Sequence, residues 1–287
     1  MAGRFDSVQG EHLGPMRIVS LLPAATEIVW ALGLEDELVG VSHACDFPPA
    51  VVGRPVVTEP SSGAVDRAAL ASLRPDLVFA GAGPRAWDVR PGATVVVLDP
   101  ASLEGIFHAI ATVGAMSDAE DEAVGLVEIL RERLADVEEV AAGRRAEGHH
   151  APRVVALDRL DPLSAAGFWL PEQIRRAGGW EVLGSDGEPS APATWEAIAD
   201  VDPEMLLVVP HGMHLGEATR AWRATPRPPF WSEIQAVRRG RVFALDASAY
   251  FSRPGPRVID GIEILAEIFD PAAFVDLAPP GSWVPVL

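Results

Sequence analysis

The stretch from Ser117 to Gly148, SDAEDEAVGLVEILRERLADVEEVAAGRRAEG, decides the fold. Its apolar residues recur every three or four positions, the spacing of one face of an α-helix; they are Ala123, Val127, Leu130, Leu134, Val137 and Ala141. Ser117 and Glu120 form a capping-box pattern at the start, and Arg144 and Arg145 near the end complement the helix dipole. A helix of about 30 residues is roughly 45 Å long, so we expect a rigid rod that joins two lobes.

Short apolar runs alternate with helical patterns on both sides of this rod. Such runs are typical of parallel strands covered by helices; they are 17–22, 38–41, 77–80 and 94–98 before the rod, and 153–157, 205–209 and 242–245 after it. The sequence therefore predicts an α/β fold of two Rossmann-like lobes with parallel sheets, joined by one long backbone helix. The expected parts are a flexible leader 1–15, an N-terminal lobe 16–116, the linking helix 117–148 and a C-terminal lobe 151–287.

Composition narrows the classes of function. The 287 residues include 41 acidic and 23 basic residues, for a formal charge of −18, and every basic residue is arginine. A negative field of this size repels phosphate backbones, so we expect no nucleic-acid partner. No apolar run approaches the ~20 residues that cross a bilayer, so we expect no membrane insertion. The polar first sixteen residues lack the apolar core of a secretory signal, which predicts a cytoplasmic protein.

A cluster of chemically versatile residues follows the predicted strand 38–41. His43, Cys45, Asp46 and Phe47 lie where the carboxyl end of a parallel strand faces the ligand crevice of an α/β fold. Imidazole, thiol and carboxylate are ligands for a transition metal, and imidazole is an axial base for cobalt. The same groups suit an enzyme in which His43 activates the Cys45 thiol. A buried, inert cysteine beside a turn is the structural alternative.

The corresponding strand ends in the second half carry further candidates. His211 follows the strand 205–209, in Pro210-His211-Gly212-Met213-His214, and either lines the crevice or caps the next helix with His214. Trp169 precedes a predicted helix, where its ring would stack on a flat ligand or hold the helix entry as a hydrophobic staple.

The segment after strand 242–245 is the strongest local signal. It contains Tyr250, the only tyrosine of the chain, followed by Phe251 and Arg253. Aromatic rings suit a half-wet crevice, and the planar fork of Arg253 presents paired donors to amides, carboxylates or phosphates. We expect a binding role for Arg253 and a structural role for Arg257.

Eight motifs are spread over nearly the whole chain: RIVSLLPAATE (17–27), VGVS (39–42), SHACD (42–46), DFPP (46–49), LRPDLV (73–78), GFWLPE (167–172), AGG (177–179) and YFSRPGPR (250–257). Together they resemble the helical-backbone (class III) substrate-binding proteins that deliver vitamin B12, iron-siderophores and haem to ABC importers. The resemblance runs from about Arg17 to the closing helix and is closest to the B12-binding branch, in particular to a subgroup without signal peptides that is labelled cobalamin-binding.

This resemblance implies a corrinoid, such as cobalamin, bound in a cleft between the lobes. Secreted B12 binders stack aromatic rings on the corrin, whereas Ser61 and Gly81 stand where two of those rings are expected; Trp87 is a nearby substitute. The resemblance also implies carboxylates that dock on an ABC permease, near Asp66 and Glu196, for which the alternative is a first-turn helix acid.

Three functions remain open from the sequence. The first is a receptor that binds a corrinoid or related metal chelate. The second is a transition-metal protein that uses His43, Cys45 and His211, the last standing where the subgroup is expected to have cysteine. The third is an enzyme on the same scaffold with Cys45 or His43 as the catalytic group.

Overall fold

The computed structural model describes residues 15–82 and 93–287, which form two compact units. The N-terminal unit consists of the described part of Met1–Leu98 together with Met116–Asp118. The C-terminal unit consists of Asp99–Ala115 and Ala119–Leu287. Within the described ranges, no helix has both the length and the apolar character that a membrane span requires.

The N-terminal unit contains a four-stranded parallel sheet in the order β2-β1-β3-β4. Its elements are β1 (Ile18–Ser20), α1 (Pro23–Ala31), β2 (Leu38–Val41), α2 (Arg67–Leu73), β3 (Leu77–Gly81) and β4 (Thr94–Leu98). Because β1 and β3 are covered on both faces, their side chains are apolar at nearly every position and buried. Val19, Val57, Leu70 and Val78 form a core cluster beside the sheet.

The C-terminal unit is larger and its sheet is mixed, in the order β11-β10-β9-β5-β6-β8, with β7 paired to β5. The strands are β5 (Arg153–Leu160), β6 (Leu163–Ala165), β7 (Trp180–Glu181), β8 (Ala191–Pro192), β9 (Met205–Val208), β10 (Val242–Leu245) and β11 (Trp283–Pro285). The helices are α3 (Leu103–Met116), α4 (Glu120–Ala146), α5 (Leu170–Arg176), α6 (Trp195–Val201), α7 (Leu215–Ala224), α8 (Gln235–Arg238), α9 (Ala247–Tyr250) and α10 (Val258–Phe269).

The α/β prediction is confirmed, but the C-terminal sheet is not parallel throughout. Strands β5, β7, β9 and β10 run parallel, as expected, whereas β6, β8 and β11 pair antiparallel with their neighbours. The difference arises because β5 extends to Leu160 and turns back through Asp161-Pro162 into β6 as a hairpin. Such tight connections join antiparallel strands only.

Helix α4 is the long helix predicted from the sequence, with a later start. Ala119 is its N-cap residue, and the Ser117 hydroxyl makes no hydrogen bond among the described residues. The expected capping box is therefore wrong. The chain turns tightly from α3 to α4 through Asp118, whose φ is 54°, and the Ala119 N–H donates to Gly114 O over 2.9 Å.

The buried face of α4 agrees with the predicted stripe. Five of the six stripe residues are buried, and Val127 is half-buried. The helix packs within the C-terminal unit, where Arg133 binds Glu263 and Asp260 of α10, and Arg144 binds Asp270. These contacts group α3 and α4 with the C-terminal unit, whereas the sequence placed 16–116 in the first lobe and 117–148 between lobes. A bridging role for α4 stays a prediction.

Candidate functional site

In the N-terminal unit, the carboxyl ends of β1 and β2 enclose the Cys45 thiol. Cys45 is 9% exposed. Its Sγ atom lies 3.0 Å from Thr26 Oγ1 and 3.1 Å from Ser42 Oγ, and Thr26 Oγ1 also lies 2.8 Å from Ser20 Oγ. Ser20 ends β1 and Ser42 follows β2, so the parallel register brings these hydroxyls together. The thiol is thus a member of a small, buried hydrogen-bonded network.

His43 lies on the outside of this network. Its backbone N–H donates to Thr58 Oγ1 over 2.8 Å, and its ring Nδ1 lies 2.7 Å from the same oxygen. The Thr58 hydroxyl has one proton and two lone pairs, so it can donate to Nδ1 or accept from it, and the tautomer of His43 decides which. Asp46 and Phe47 are also exposed, and the exposed fraction of Phe47 is 37%.

No preformed metal site is found among the described residues. His43 is bound to Thr58, Cys45 to hydroxyl groups, and no group of three or more His, Cys, Asp or Glu side chains in the described ranges is placed to hold a metal ion. A metal-binding role for His43, Cys45 and His211 stays a prediction. The hydrogen-bond partners of the Cys45 thiol are Thr26 and Ser42, and that of the His43 ring is Thr58, so the structure gives no support to an activated thiolate.

In the C-terminal unit, three loops at the carboxyl edge of the sheet are joined by hydrogen bonds. The Gly212 N–H donates to Ser252 Oγ over 2.9 Å, and the Ser248 N–H donates to Met213 O over 2.9 Å. These bonds connect the loop after β9 to the segment after β10. The Trp169 indole N–H donates to Phe251 O over 3.0 Å and fixes the loop after β6 to the same segment.

Trp169 and its neighbour Phe168 differ in exposure. Trp169 is 9% exposed and Phe251 is 5% exposed, so both rings belong to the core of this edge, whereas Phe168 is 41% exposed. The cause is the tight passage of the chain at Gly167, where an added Cβ would lie 2.3 Å from Glu188 O. Phe168 follows with φ of 55° and its ring turns outward. A binding role for Trp169 and Phe251 stays a prediction.

Tyr250, Arg253 and His211 remain accessible at this edge. Tyr250 is half-buried, and burial raises the pKa of its phenol. Arg253 Nη2 donates to Ser248 Oγ over 3.1 Å, and the Arg257 guanidinium lies 5.7 Å from the Tyr250 ring centre. His211 is exposed, and its backbone N–H donates to Asp158 O over 2.8 Å. The loop after β9 and the segment after β10 together present an aromatic ring, a guanidinium and an imidazole.

His214 takes the capping position that was one of its two expected roles. It precedes α7, its backbone N–H donates to Glu217 Oε2 over 3.1 Å, and its Nδ1 lies 3.1 Å from Asp246 Oδ1. Asp66 caps α2 through bonds from the Ala68 and Ala69 N–H groups, and Glu196 lies exposed in the first turn of α6. Trp87 lies outside the described residues.

Phe168 is the exposed candidate that sequence reasoning missed. The sequence contains one indication of this exposure: Gly167 immediately precedes Phe168, and an isolated glycine often marks a close approach of two backbones. The backbone that approaches Gly167 belongs to residues 188–190, more than twenty residues away in sequence, so the sequence alone did not identify it.

Comparisons with known proteins agree with this geometry. An uncharacterized ABC transporter substrate-binding lipoprotein, YvrC of Bacillus subtilis, is 28% identical over 268 residues, covering 91% of this chain and 82% of its own. The vitamin B12-binding protein of Vibrio cholerae is 28% identical over 253 residues, covering 86% of each chain.

Solved structures give the same result. The periplasmic vitamin B12-binding protein BtuF of Vibrio cholerae matches with a TM-score of 0.68 and 27% identity, covering 89% of this chain and 97% of its own. The periplasmic heme-binding protein BhuT, in complex with two hemes, matches with a TM-score of 0.72 and 26% identity, covering 91% of this chain and all of its own. The periplasmic binding protein family model matches residues 18–249, and the chain belongs to this family.

Proposed function

We propose that this protein is a substrate-binding receptor for a corrinoid such as cobalamin, or for a closely related tetrapyrrole. Membership of the periplasmic binding protein family supports a receptor. The names of its relatives support the ligand class, since one binds vitamin B12 and another binds heme. The metal-ion and enzyme alternatives gain no support from Cys45, whose thiol is buried among hydroxyl groups.

The observation that carries the proposal is the carboxyl edge of the C-terminal sheet. There Phe168, Tyr250 and Arg253 are accessible, on loops that hydrogen bonds hold in place. Aromatic rings stack on flat macrocycles, and a guanidinium donates paired hydrogen bonds to the amide oxygens of a corrin or to the carboxylates of a heme. Because the loops are fixed before the ligand arrives, little ordering entropy opposes binding.

The N-terminal unit offers a second set of groups at the corresponding edge of its own sheet. His43, Asp46 and Phe47 are exposed after β2. A neutral imidazole is an axial ligand for cobalt or iron, and the exposed His211 has the same capacity in the C-terminal unit. Which imidazole, if either, ligates the metal of the chelate is decided by the spectra described next.

The test is anaerobic titration of the purified full chain with cyanocobalamin, hydroxocobalamin and hemin, followed by absorption spectroscopy and gel filtration. We expect one of these ligands to be retained at a fixed stoichiometry. Substitution Arg253→Gln weakens its binding about tenfold, the value of one charged hydrogen bond. Arg220→Gln removes an exposed arginine from α7 and leaves binding unchanged. Absence of retention for all three ligands at tens of micromolar would reject the proposal.

We further propose delivery of the ligand to an ABC importer, with Asp66 and Glu196 as docking carboxylates. Both are exposed, one in each unit. The double variant Asp66→Asn and Glu196→Gln is expected to lower uptake of labelled cobalamin while ligand affinity stays constant. Asparagine caps a helix as well as aspartate, so α2 keeps its N-cap and a change in uptake reports the lost charges. Unchanged uptake would exclude docking through these residues.

A further inference from the structure

A basic cavity lies at the opposite end of the C-terminal sheet from the candidate ligand edge. Two of its lining residues, Pro152 and Arg241, directly precede β5 and β10, whereas His211 and Asp246 follow strands of the same parallel set. Strands of four residues separate the two ends by roughly 13 Å. The cavity has a volume of about 250 Å³ and is further lined by residues 141, 144, 145, 149, 150, 177, 178, 269, 270, 271 and 274.

The charge of this cavity is opposite to that of the chain. Three arginines line it, Arg144, Arg145 and Arg241, against a single acid, Asp270, in a protein with a formal charge of −18. Arg144 is occupied: its Nε donates to Asp270 over 2.7 Å and its Nη1 to Glu147 over 2.9 Å. The remaining two arginines make no ion pair with a lining residue, so the cavity wall carries a net positive charge.

Neither Arg145 nor Arg241 forms an ion pair or a hydrogen bond with a carboxylate among the described residues, although Glu204 lies close enough to attract the Arg241 guanidinium. Arg241 is half-buried; burial lowers the pKa of its guanidinium, and its hydrogen bond goes to a main-chain carbonyl, that of Ile268, over 3.5 Å. The nearby Glu204 is already bound to His150 Nε2 over 2.9 Å and to the Arg153 N–H over 3.0 Å. Glu204 is shared among several basic groups, so a half-buried Arg241 that makes no direct bond to an acid would be stabilised by a bound anion.

Apolar groups form the rest of the wall. Phe269, Phe274, Pro152 and Pro271 line the cavity beside the guanidinium groups. Small-molecule sites are usually concave, with a mostly apolar wall and a few polar groups that point into the same space. At about 250 Å³ the cavity is below the roughly 300–1,000 Å³ of drug-sized ligand sites, which excludes a macrocycle and admits a compact molecule.

We propose that this cavity is a second binding site, for a small organic anion with one phosphate or carboxylate group on a compact apolar body. Arg241 and Arg145 bind the anionic group, and the phenylalanine and proline side chains pack against the body. The site is independent of the receptor function proposed above, because it lies at the other end of the sheet.

The test is calorimetric titration of the full chain with phenyl phosphate and with benzoate, which separate the two anionic groups. Inorganic phosphate serves as the probe without an apolar body. We expect one equivalent of phenyl phosphate or benzoate to bind, more tightly than inorganic phosphate and with affinity that falls as salt is added. Arg241→Gln weakens binding about tenfold or more, as loss of a charged hydrogen bond predicts.

Arg145→Gln tests the second arginine of the cavity, and Arg220→Gln is its matched control. Arg145 and Arg220 are both exposed, so both variants fold, and both remove one positive charge. Arg145→Gln is expected to weaken binding, while Arg220→Gln leaves it unchanged, and cyanocobalamin titration of Arg241→Gln matches the wild type. Equal affinities in Arg145→Gln and Arg220→Gln, or no binding of phenyl phosphate and benzoate at millimolar concentration, would overturn the proposal.

Discussion

The N-terminal sheet ends in a buried cluster of hydroxyl and thiol groups, whereas the C-terminal sheet ends in loops that hydrogen bonds join to one another. In the first, Ser20, Thr26 and Cys45 bind side chain to side chain. In the second, Trp169 and Gly212 donate to groups of the segment after β10. At both edges the chemically versatile residues divide into a buried set that holds the loops and a set that remains accessible. Neighbours in sequence therefore differ in role.

The largest expected effect is on stability, and it tests whether the two units unfold independently. Trp222 is 1% exposed in the core of the C-terminal unit, and Trp222→Ala is expected to lower its free energy of unfolding by about 3–5 kcal/mol through lost burial and a cavity. Leu70→Ala is the matched change in the N-terminal unit. Hydrogen exchange with mass spectrometry measures each unit separately. Equal loss of protection in both units from either variant would show that they unfold together.

A pH dependence is expected in the C-terminal unit through Glu181. Burial raises the pKa of its carboxyl group from about 4.5 to about 7, although the N–H groups of Ala156, Leu183 and Gly184 bind it. The folded state holds the proton more tightly than the unfolded state, so the stability contribution is present below about pH 4.5 and is lost as the pH rises to about 7.

The expected loss is about 3 kcal/mol, since each pH unit over which the folded state alone holds the proton changes stability by about 1.4 kcal/mol. Urea unfolding at pH 5 and pH 7.5 measures most of it, about 2 kcal/mol. Glutamine does not titrate, so Glu181→Gln should make the free energy of unfolding depend less on pH than in the wild type. A change in stability that is the same at every pH does not affect this comparison. A wild-type curve parallel to that of the variant would contradict a raised pKa.

A smaller effect tests the buried cluster of the N-terminal unit. Cys45→Ala removes the group that lies 3.0 Å from Thr26 Oγ1 and 3.1 Å from Ser42 Oγ. Because Thr26 retains Ser20 as a partner, we expect a loss of only about 1 kcal/mol in the free energy of unfolding. Cobalamin affinity should not change if the thiol is structural. If the variant folds normally but no longer binds cobalamin, the Cys45 thiol has a role in ligand binding.

The smallest expected effect on stability concerns Phe168. Its ring is 41% exposed, so Phe168→Ala should change the free energy of unfolding by less than about 0.5 kcal/mol. Affinity for the corrinoid should nevertheless fall several-fold, because the ring is available for stacking. Phe47→Ala, which alters a comparably exposed ring in the N-terminal unit, shows whether both edges contribute. Unchanged affinity in both variants would remove stacking from the proposed mode of binding.

Much of the fold follows from local pattern. The strands at 38–41, 94–98 and 242–245 have the predicted bounds, and the apolar stripe of α4 faces inward, because period and burial are properties of the segment itself. The antiparallel strands β8 and β11 were not predicted. Each contains only two or three residues, too few to show a period.

The candidate site was less predictable, because burial depends on partners far away in sequence. His43, Cys45 and Asp46 were predicted as one ligand set, but Thr58 binds His43 from fifteen residues away and Thr26 binds Cys45 from nineteen. Likewise Phe251 O binds Trp169 from eighty-two residues away. The start of α4 was mispredicted for a similar reason. Ser117 was expected as the N-cap residue, but the tight turn at Asp118 makes Ala119 the N-cap residue.

The aromatic cluster of the C-terminal unit gives the protein an internal spectroscopic label. Trp195, Trp222 and Trp231 have ring centres 5.3–6.3 Å apart, and the Arg227 guanidinium lies 3.8 Å from the Trp222 ring centre. Six of the eight tryptophans of the chain belong to this unit. Intrinsic fluorescence will therefore report mainly on the C-terminal half, and the coupled indoles should give an exciton band in circular dichroism that vanishes when this half alone melts.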